Sequence, residues 1–196
     1  MNLSPEVLVS GYMQGAFPMA HSDGRIYWYS PDPRAILPLD GLHVSQSLRR
    51  VLHRGRFDIR FDTAFAEVVA ACAAPGPDRP QTWISNEIAV AYVHLHRLGL
   101  AHSVEAWSQG QLAGGLYGVS IRGLFAGESM FSRERDASKV ALYHLVLRLR
   151  ERSFRLLDVQ FQTPHLKRLG AVEISRQTYL ALLRWALAVE TSFDRE

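Results

Sequence analysis

Apolar and polar positions follow two different periods along this chain, helical at first and strand-like from about residue 100. Ser4-Pro5-Glu6 reads as an N-cap with proline at the first helical position, opening a helix that stops at Gly15. A second helix is predicted from about Ser45 to His53, stopped by Gly55. Thr63 is expected to cap a third helix reaching about Ala74, ended by Pro75, Gly76 and Pro77. Ser85 caps a fourth, from Asn86 to Leu98, with Gly99 as its stop. Between the first two helices, Phe17 to Leu39 is too dense in proline for a long helix, which predicts extended pieces and turns. Phe57 to Phe61 alternates apolar and polar residues as a strand does.

Beyond Gly99 the alternation predicts three strands, His102–Trp107, Gln111–Ser120 and Gly123–Phe131. Gln109-Gly110 and Arg122-Gly123 supply the turns of an antiparallel meander. A helix from Ala137 to Arg152 follows, with Val140, Ala141, Leu145, Leu147 and Leu149 on its apolar face. Then come a strand (Phe154–Gln160), a short helix from Thr163-Pro164 to Gly170, a strand (Val172–Ser175) and a last helix (Gln177–Glu190). The class is α+β, and the order β-β-β-α-β-α-β-α resembles the acetyltransferase-like fold known as GNAT, a mixed sheet flanked by helices. A small N-terminal domain is expected over residues 1–38, with the GNAT-like catalytic domain over 39–196.

Composition adds exclusions. The chain has 196 residues, 47% apolar and 21% charged, which suits a globular protein and not a disordered one. No apolar run reaches membrane-span length, and the N-terminus lacks the basic stretch of a secretory signal, so a cytoplasmic protein is expected with no membrane partner. The single cysteine, Cys72, rules out an internal disulfide and a cysteine-rich zinc site. The net charge is +3, and the only lysines among 22 basic residues are Lys139 and Lys167. Arg49, Arg50, Arg54, Arg56 and Arg60 with His53 cluster against the single acid Asp58, a pattern that suits a polyanion. A second cluster spans Arg148, Arg150, Arg152, Arg155, Lys167, Arg168 and Arg176, with Glu151 interleaved as on a solvated helix face.

Several familiar chemistries fit poorly. GNAT enzymes cradle the acetyl-CoA pyrophosphate in a [Gln/Arg]-x-x-Gly-x-[Gly/Ala] turn that opens a helix, and no such turn precedes Ala137. Ser129 lacks the second glycine of a nucleophile elbow. His94 and His96 point apart on a helix, which disfavours a shared metal, and no metal or cofactor is expected. The glycines of Ala113-Gly114-Gly115-Leu116-Tyr117-Gly118 lie inside a strand, where they mark a bulge or a close backbone approach.

Eight segments in one order carry a more specific resemblance. They are Gly15-Ala16-Phe17-Pro18-Met19, Trp28-Tyr29-Ser30-Pro31-Asp32-Pro33-Arg34, Thr82-Trp83-Ile84, His102-Ser103-Val104-Glu105-Ala106-Trp107, Gly114-Gly115-Leu116-Tyr117-Gly118-Val119, Gly127-Glu128-Ser129-Met130-Phe131-Ser132, Ala137-Ser138-Lys139 and Leu157-Asp158-Val159-Gln160. On these the chain closely resembles the leucyl/phenylalanyl-tRNA–protein transferases over almost its whole length. The resemblance implies transfer of Leu or Phe, with Met a further donor residue, from aminoacyl-tRNA to the α-amino group of proteins beginning with Arg or Lys. The modified proteins then enter N-end-rule degradation.

The same resemblance implies site residues. Asp158 and Gln160, spaced i, i+2 on one strand and so expected on one side of it, are to orient the attacking amine and relay its proton. Glu128 is expected to bind the donor's amino group or the acceptor's cationic side chain. Leu116, Phe125, Met130, Leu142, Leu145 and Leu157 match the aminoacyl pocket, with Leu145 standing where some members carry an aromatic. Trp83 matches a tryptophan that stacks on the 3′-adenine, Tyr12 a neighbouring tyrosine, and Met19 stands where some members have a second tryptophan. Arg49, Arg50, Arg54 and Arg56 are expected to meet the tRNA backbone. The ester donor is already activated, so positioning and one proton acceptor suffice. The alternative from the fold order alone is a GNAT-like acyltransferase with a CoA donor acting on a small amine.

Overall fold

The computed structural model describes residues 3–75 and 82–194. The expected stops Gly76 and Pro77 lie outside the described residues. The N-terminal segment holds α1 (Pro5–Met13), β1 (Phe17–Ala20) and β2 (Ile26–Tyr29). As predicted, Ser4 caps α1, its Oγ accepting the Val7 N–H at 3.4 Å. The spacing of Leu8 and Tyr12 puts both on the buried face of α1. The two strands pair antiparallel in a sheet of their own.

The larger sheet has seven strands, adding β3 (Arg34–Ile36), β4 (Asp58–Phe61), β5 (Ala101–Ser108), β6 (Gln111–Ile121), β7 (Leu124–Ser132), β8 (Leu156–Gln160) and β9 (Val172–Ile174). Their spatial order is β4-β5-β6-β7-β8-β3-β9. All neighbours are antiparallel except β7 and β8, so the sheet is mixed. The helices are α2 (Gln46–His53), α3 (Phe65–Ala73), α4 (Asn86–Arg97), α5 (Ala137–Glu151), α6 (Pro164–Arg168) and α7 (Arg176–Leu187). The predicted order β-β-β-α-β-α-β-α is realised from β5 to α7. Helices α3 and α4 pack together around one core with α1, and α5 closes the other core with residues of β6, β7 and β8.

Three details differ from the sequence reading. Strand β3 falls within the segment 1–38, yet it is an interior strand of the large sheet, between β8 and β9. Thr63 does not cap α3: its hydroxyl donates to Glu105, and Ala64 holds the N-cap position without a side-chain bond. Leu147 is turned to solvent while Leu142 and Val146 are buried, so the apolar face of α5 is rotated relative to the one expected.

The glycines of β6 do mark close approaches. A Cβ at Gly118 would lie 2.4 Å from the Ala126 carbonyl oxygen, and one at Gly115 would lie 2.8 Å from that of Val104. The β6–β7 register shifts between Tyr117 and Gly118, a bulge in the middle of the long strand pair.

Candidate active site

The site lies where β7 and β8 part. Their parallel pairing covers only Leu124↔Leu156, Phe125↔Leu157 and Ala126↔Asp158. Beyond it, Gly127 to Met130 and Val159 to Phe161 line the two sides of a pocket of about 370 Å³. Leu142 and Leu145 of α5, Leu116 of β6 and Leu157 supply much of the apolar wall. The volume is in the range of pockets that enclose a small ligand (about 300–1,000 Å³). Trp83 and Met19 also line it, as do Thr163, His165 and Leu166.

Glu128 is the acid on this wall. It is 8% exposed and accepts hydrogen bonds from Tyr12 Oη at 2.7 Å, Tyr92 Oη at 3.0 Å and Gln160 Nε2 at 2.8 Å. Tyr12 comes from the buried face of α1 and Tyr92 from that of α4, and the two hydroxyls also meet each other. Burial raises the Glu128 carboxyl to about 7 despite the two tyrosine hydrogen bonds, which pull it down. Burial likewise lifts both phenols well above their ordinary value, with the Glu128 charge next in size, so they stay neutral donors.

Asp158 occupies a different environment. It is fully buried and pairs with Arg34 through two bonds, Nε to Oδ1 at 2.9 Å and Nη2 to Oδ2 at 2.5 Å. Oδ2 also accepts Tyr179 Oη at 2.9 Å, and Oδ1 accepts the Gln160 backbone N–H at 2.9 Å. The i, i+2 spacing therefore does not place Asp158 beside Gln160 on the pocket wall. Leu157 and Val159 line the pocket and Asp158, between them, does not. Gln160 has φ +65°, so it leaves strand geometry, and its side chain reaches the pocket and Glu128.

Two further expected residues lie off the pocket wall. Tyr12 is 1% exposed and committed to Glu128, so its ring offers no face to an adenine. Phe125 is fully buried with its ring 5.5 Å from that of Phe193, and the pocket wall is formed without it. The expected residues brought together at the pocket are Leu116, Met130, Leu142, Leu145, Leu157, Glu128, Gln160, Trp83 and Met19.

The expected backbone-contacting arginines, Arg49, Arg50, Arg54 and Arg56, are exposed on α2 and the turn after it. Helix α2 packs against α5, which also walls the pocket. Arg56 forms an ion pair with Glu134 at 2.5 Å. The second basic cluster is largely structural. Arg148 lies over the Phe61 and Phe193 rings and donates to the Phe193 carbonyl, Arg155 lies over Trp185, and Arg176 donates to the Ser30 carbonyl.

Sequence reasoning missed Arg34, Tyr92 and His165. Arg34 stands directly before the apolar run Ala35-Ile36-Leu37, and such a charge demands a buried partner. Tyr92 sits on the apolar face of α4, at helical spacing from Ile88 and Leu95. His165 carried no comparable signal; burial, Lys139 and Arg168 all lower its pKa. Elsewhere His102 faces Asp62, with Nδ1 and Oδ2 2.8 Å apart, and neither lines the pocket. Among the described residues no helix is long and apolar enough to cross a membrane.

Comparisons with known proteins agree with this architecture. Residues 36–184 match the family described as leucyl/phenylalanyl-tRNA protein transferase, and residues 1–32 match the N-terminal domain described for it. A leucyl/phenylalanyl-tRNA–protein transferase of Herpetosiphon aurantiacus is 58% identical over 192 residues, covering 97% of this chain and 98% of its own. The proteins of that name from Rhodospirillum rubrum and Rubrobacter xylanophilus are 55% and 56% identical. Each match covers 98% of this chain, with 92% and 100% of the respective relatives. This chain belongs to the leucyl/phenylalanyl-tRNA protein transferase family.

Proposed function

We propose that the protein moves Leu or Phe, with Met as a further donor residue, from the 3′ end of aminoacyl-tRNA to the α-amino group of proteins that begin with Arg or Lys. It works in the cytoplasm and marks those proteins for degradation. The observation that carries this reading is one junction: an apolar pocket of about 370 Å³ whose wall includes a buried carboxylate, a carboxamide and a tryptophan. The apolar part takes the Leu or Phe side chain. Trp83 takes the terminal adenine by stacking, with Met19 packing beside it. The N-terminal segment, about residues 1–38, serves the donor side by supplying Met19 to the pocket and Tyr12 to Glu128.

Glu128 receives the α-amino group of the bound aminoacyl moiety, which fixes the ester carbonyl beside Gln160. The acceptor's neutral α-amine attacks that carbonyl carbon. A C–N bond forms, the C–O bond to the tRNA ribose breaks, and the amine's proton passes to the departing ribose oxygen. Gln160 orients the amine through its amide oxygen while its Nε2 remains on Glu128. Asp158 does not touch substrate in this reading and acts through Gln160. The amine's ordinary pKa of about 7.7–8.0 leaves a usable free-base fraction near neutral pH, so a strong base is unnecessary.

The CoA-dependent alternative is disfavoured by the first turn of α5. Its Ala137 and Ser138 N–H groups donate to the Glu134 carbonyl and Ser132 Oγ, and Asp136 stands at its N-cap, an unwelcoming neighbour for a pyrophosphate. The test is transfer of labelled Leu from Leu-tRNA to a peptide beginning with Arg, beside the same peptide N-acetylated. Label on the free-amine peptide alone is expected. Absence of transfer from both Leu-tRNA and Phe-tRNA overturns the reading.

A further inference from the structure

We infer that Arg34 is a positioning residue for the transfer reaction, holding the Asp158–Gln160 turn in its reactive shape and tying it to the N-terminal segment; this rests on the function proposed above. Arg34 is 1% exposed, and its polar contacts all run inward. Nε and Nη2 bind the two oxygens of Asp158, Nη1 donates to the Gly15 carbonyl at 3.1 Å, and Nη2 also lies 3.3 Å from Tyr179 Oη. The guanidinium carbon lies 4.6 Å from the Phe17 ring centre and 4.4 Å from that of Tyr179. Burial alone works against its charge, and the hydrogen bonds and charge of Asp158 outweigh that and keep it protonated.

The consequence is transmitted through one carboxylate. Asp158 Oδ1 takes the Gln160 N–H, a bond that closes over Val159 and fixes the amide of the next residue, Gln160, whose φ of +65° is disfavoured for a side chain of that size. The left-handed turn is what sends the Gln160 carboxamide to the pocket wall and onto Glu128. Glu128 is in turn held by Tyr12 of α1, three residues before Gly15. Arg34 and Tyr12 thus clamp the N-terminal segment to the two ends of the Asp158–Gln160–Glu128 chain. Without the guanidinium, Asp158 is a buried carboxylate with no countercharge, and its hold on the Gln160 turn is lost with its orientation.

The test compares wild type, Arg34→Met and Tyr179→Phe in Leu transfer from Leu-tRNA to the Arg-starting peptide. Tyr179→Phe keeps the ring over Arg34 and removes the hydroxyl's bonds to Asp158 and to Arg34 Nη2, so it reports on the Arg34–Asp158 pair even where Arg34→Met fails to fold. The expected result is a kcat lowered at least 100-fold by Arg34→Met and about 5-fold by Tyr179→Phe. KM for Leu-tRNA should stay within about 2-fold, because the aminoacyl pocket and Trp83 are untouched. Adding Asp158→Asn to Tyr179→Phe should lower kcat no further than Asp158→Asn alone. Equal losses in kcat and donor affinity, additive effects in the double variant, or unchanged kcat in Tyr179→Phe overturn the role of Arg34 while wild-type transfer stands. Failure of wild-type transfer overturns the functional reading itself.

Discussion

Replacing Glu128 by Gln removes a buried titrating group while keeping the side chain's shape, and the structure sets both the sign and the size of the effect. The carboxyl is raised from an ordinary 4.5 to about 7, chiefly by burial. Between those two values the folded protein retains the Glu128 proton and the unfolded chain has lost it. The unfolded state then binds fewer protons, so stability falls as pH rises through this window and levels off above it. At about 1.4 kcal/mol per pH unit, the interval corresponds to roughly 3 kcal/mol. Glu128→Gln has no such proton to lose. The assay is urea denaturation of wild type and variant at pH 5, 6, 7 and 8. Taking the difference cancels the titration of every other group. The stability of wild type relative to Glu128→Gln should drop by about 3 kcal/mol across the series, equivalent to about 6–12 °C in Tm for a chain of this size. A constant difference, or one that grows with pH, refutes the assignment of Glu128 as a carboxyl whose pKa burial raises toward neutrality. The same variant should transfer Leu poorly, because a neutral amide is a weaker partner for the donor's amino group.

Other substitutions separate the parts of the site. Trp83→Ala should raise KM for Leu-tRNA about 10- to 100-fold with little change in kcat, the loss of one stacked base being worth about 1–3 kcal/mol; steady-state kinetics decide it. Leu145→Phe should narrow the pocket and lower the Phe-over-Leu ratio of kcat/KM about tenfold in a two-donor competition, since one side-chain-sized change is worth about 1–3 kcal/mol. Replacing Arg49, Arg50 and Arg54 together by Ala should weaken donor tRNA binding at low salt and reduce the slope of log affinity against log salt by about 2–3, read from binding titrations at several salt concentrations.

The elements were legible in the sequence wherever local chemistry fixes them. Ser4, Ser45, Ser85 and Thr163, each read at the head of a helix, cap those helices through their side chains, whereas Ser175, read as the last residue of a strand, is the cap of α7. Gly99, at φ +71°, ends α4 as expected. Thr63 misled because it is spatially close to Glu105, some forty residues away in the chain, and that carboxylate takes the hydroxyl. The place of β3 was hidden for a similar reason: a three-residue strand after two prolines finds its partners, β8 and β9, only through pairings more than a hundred residues apart. The pocket's aliphatic wall was readable by resemblance, whereas its polar half was not. Strand alternation put Asp158 and Gln160 on one side, but a backbone turn at Gln160 separates them, and no periodicity reports a single residue at positive φ. Arg34 looked like part of a motif, and only the fold shows that its charge is spent on Asp158.

The most direct test of the account compares donors under single-turnover conditions. Leu-tRNA, leucyl-adenosine bearing the same 3′-ester, and acetyl-CoA would each be offered with the Arg-starting peptide, and the product would be mapped by fragmentation. The account predicts a leucyl group on the α-nitrogen from both ester donors, with Leu-tRNA the faster through the arginines of α2, and no product from acetyl-CoA. Acetylated peptide from acetyl-CoA, with neither ester donor delivering leucine, would contradict it.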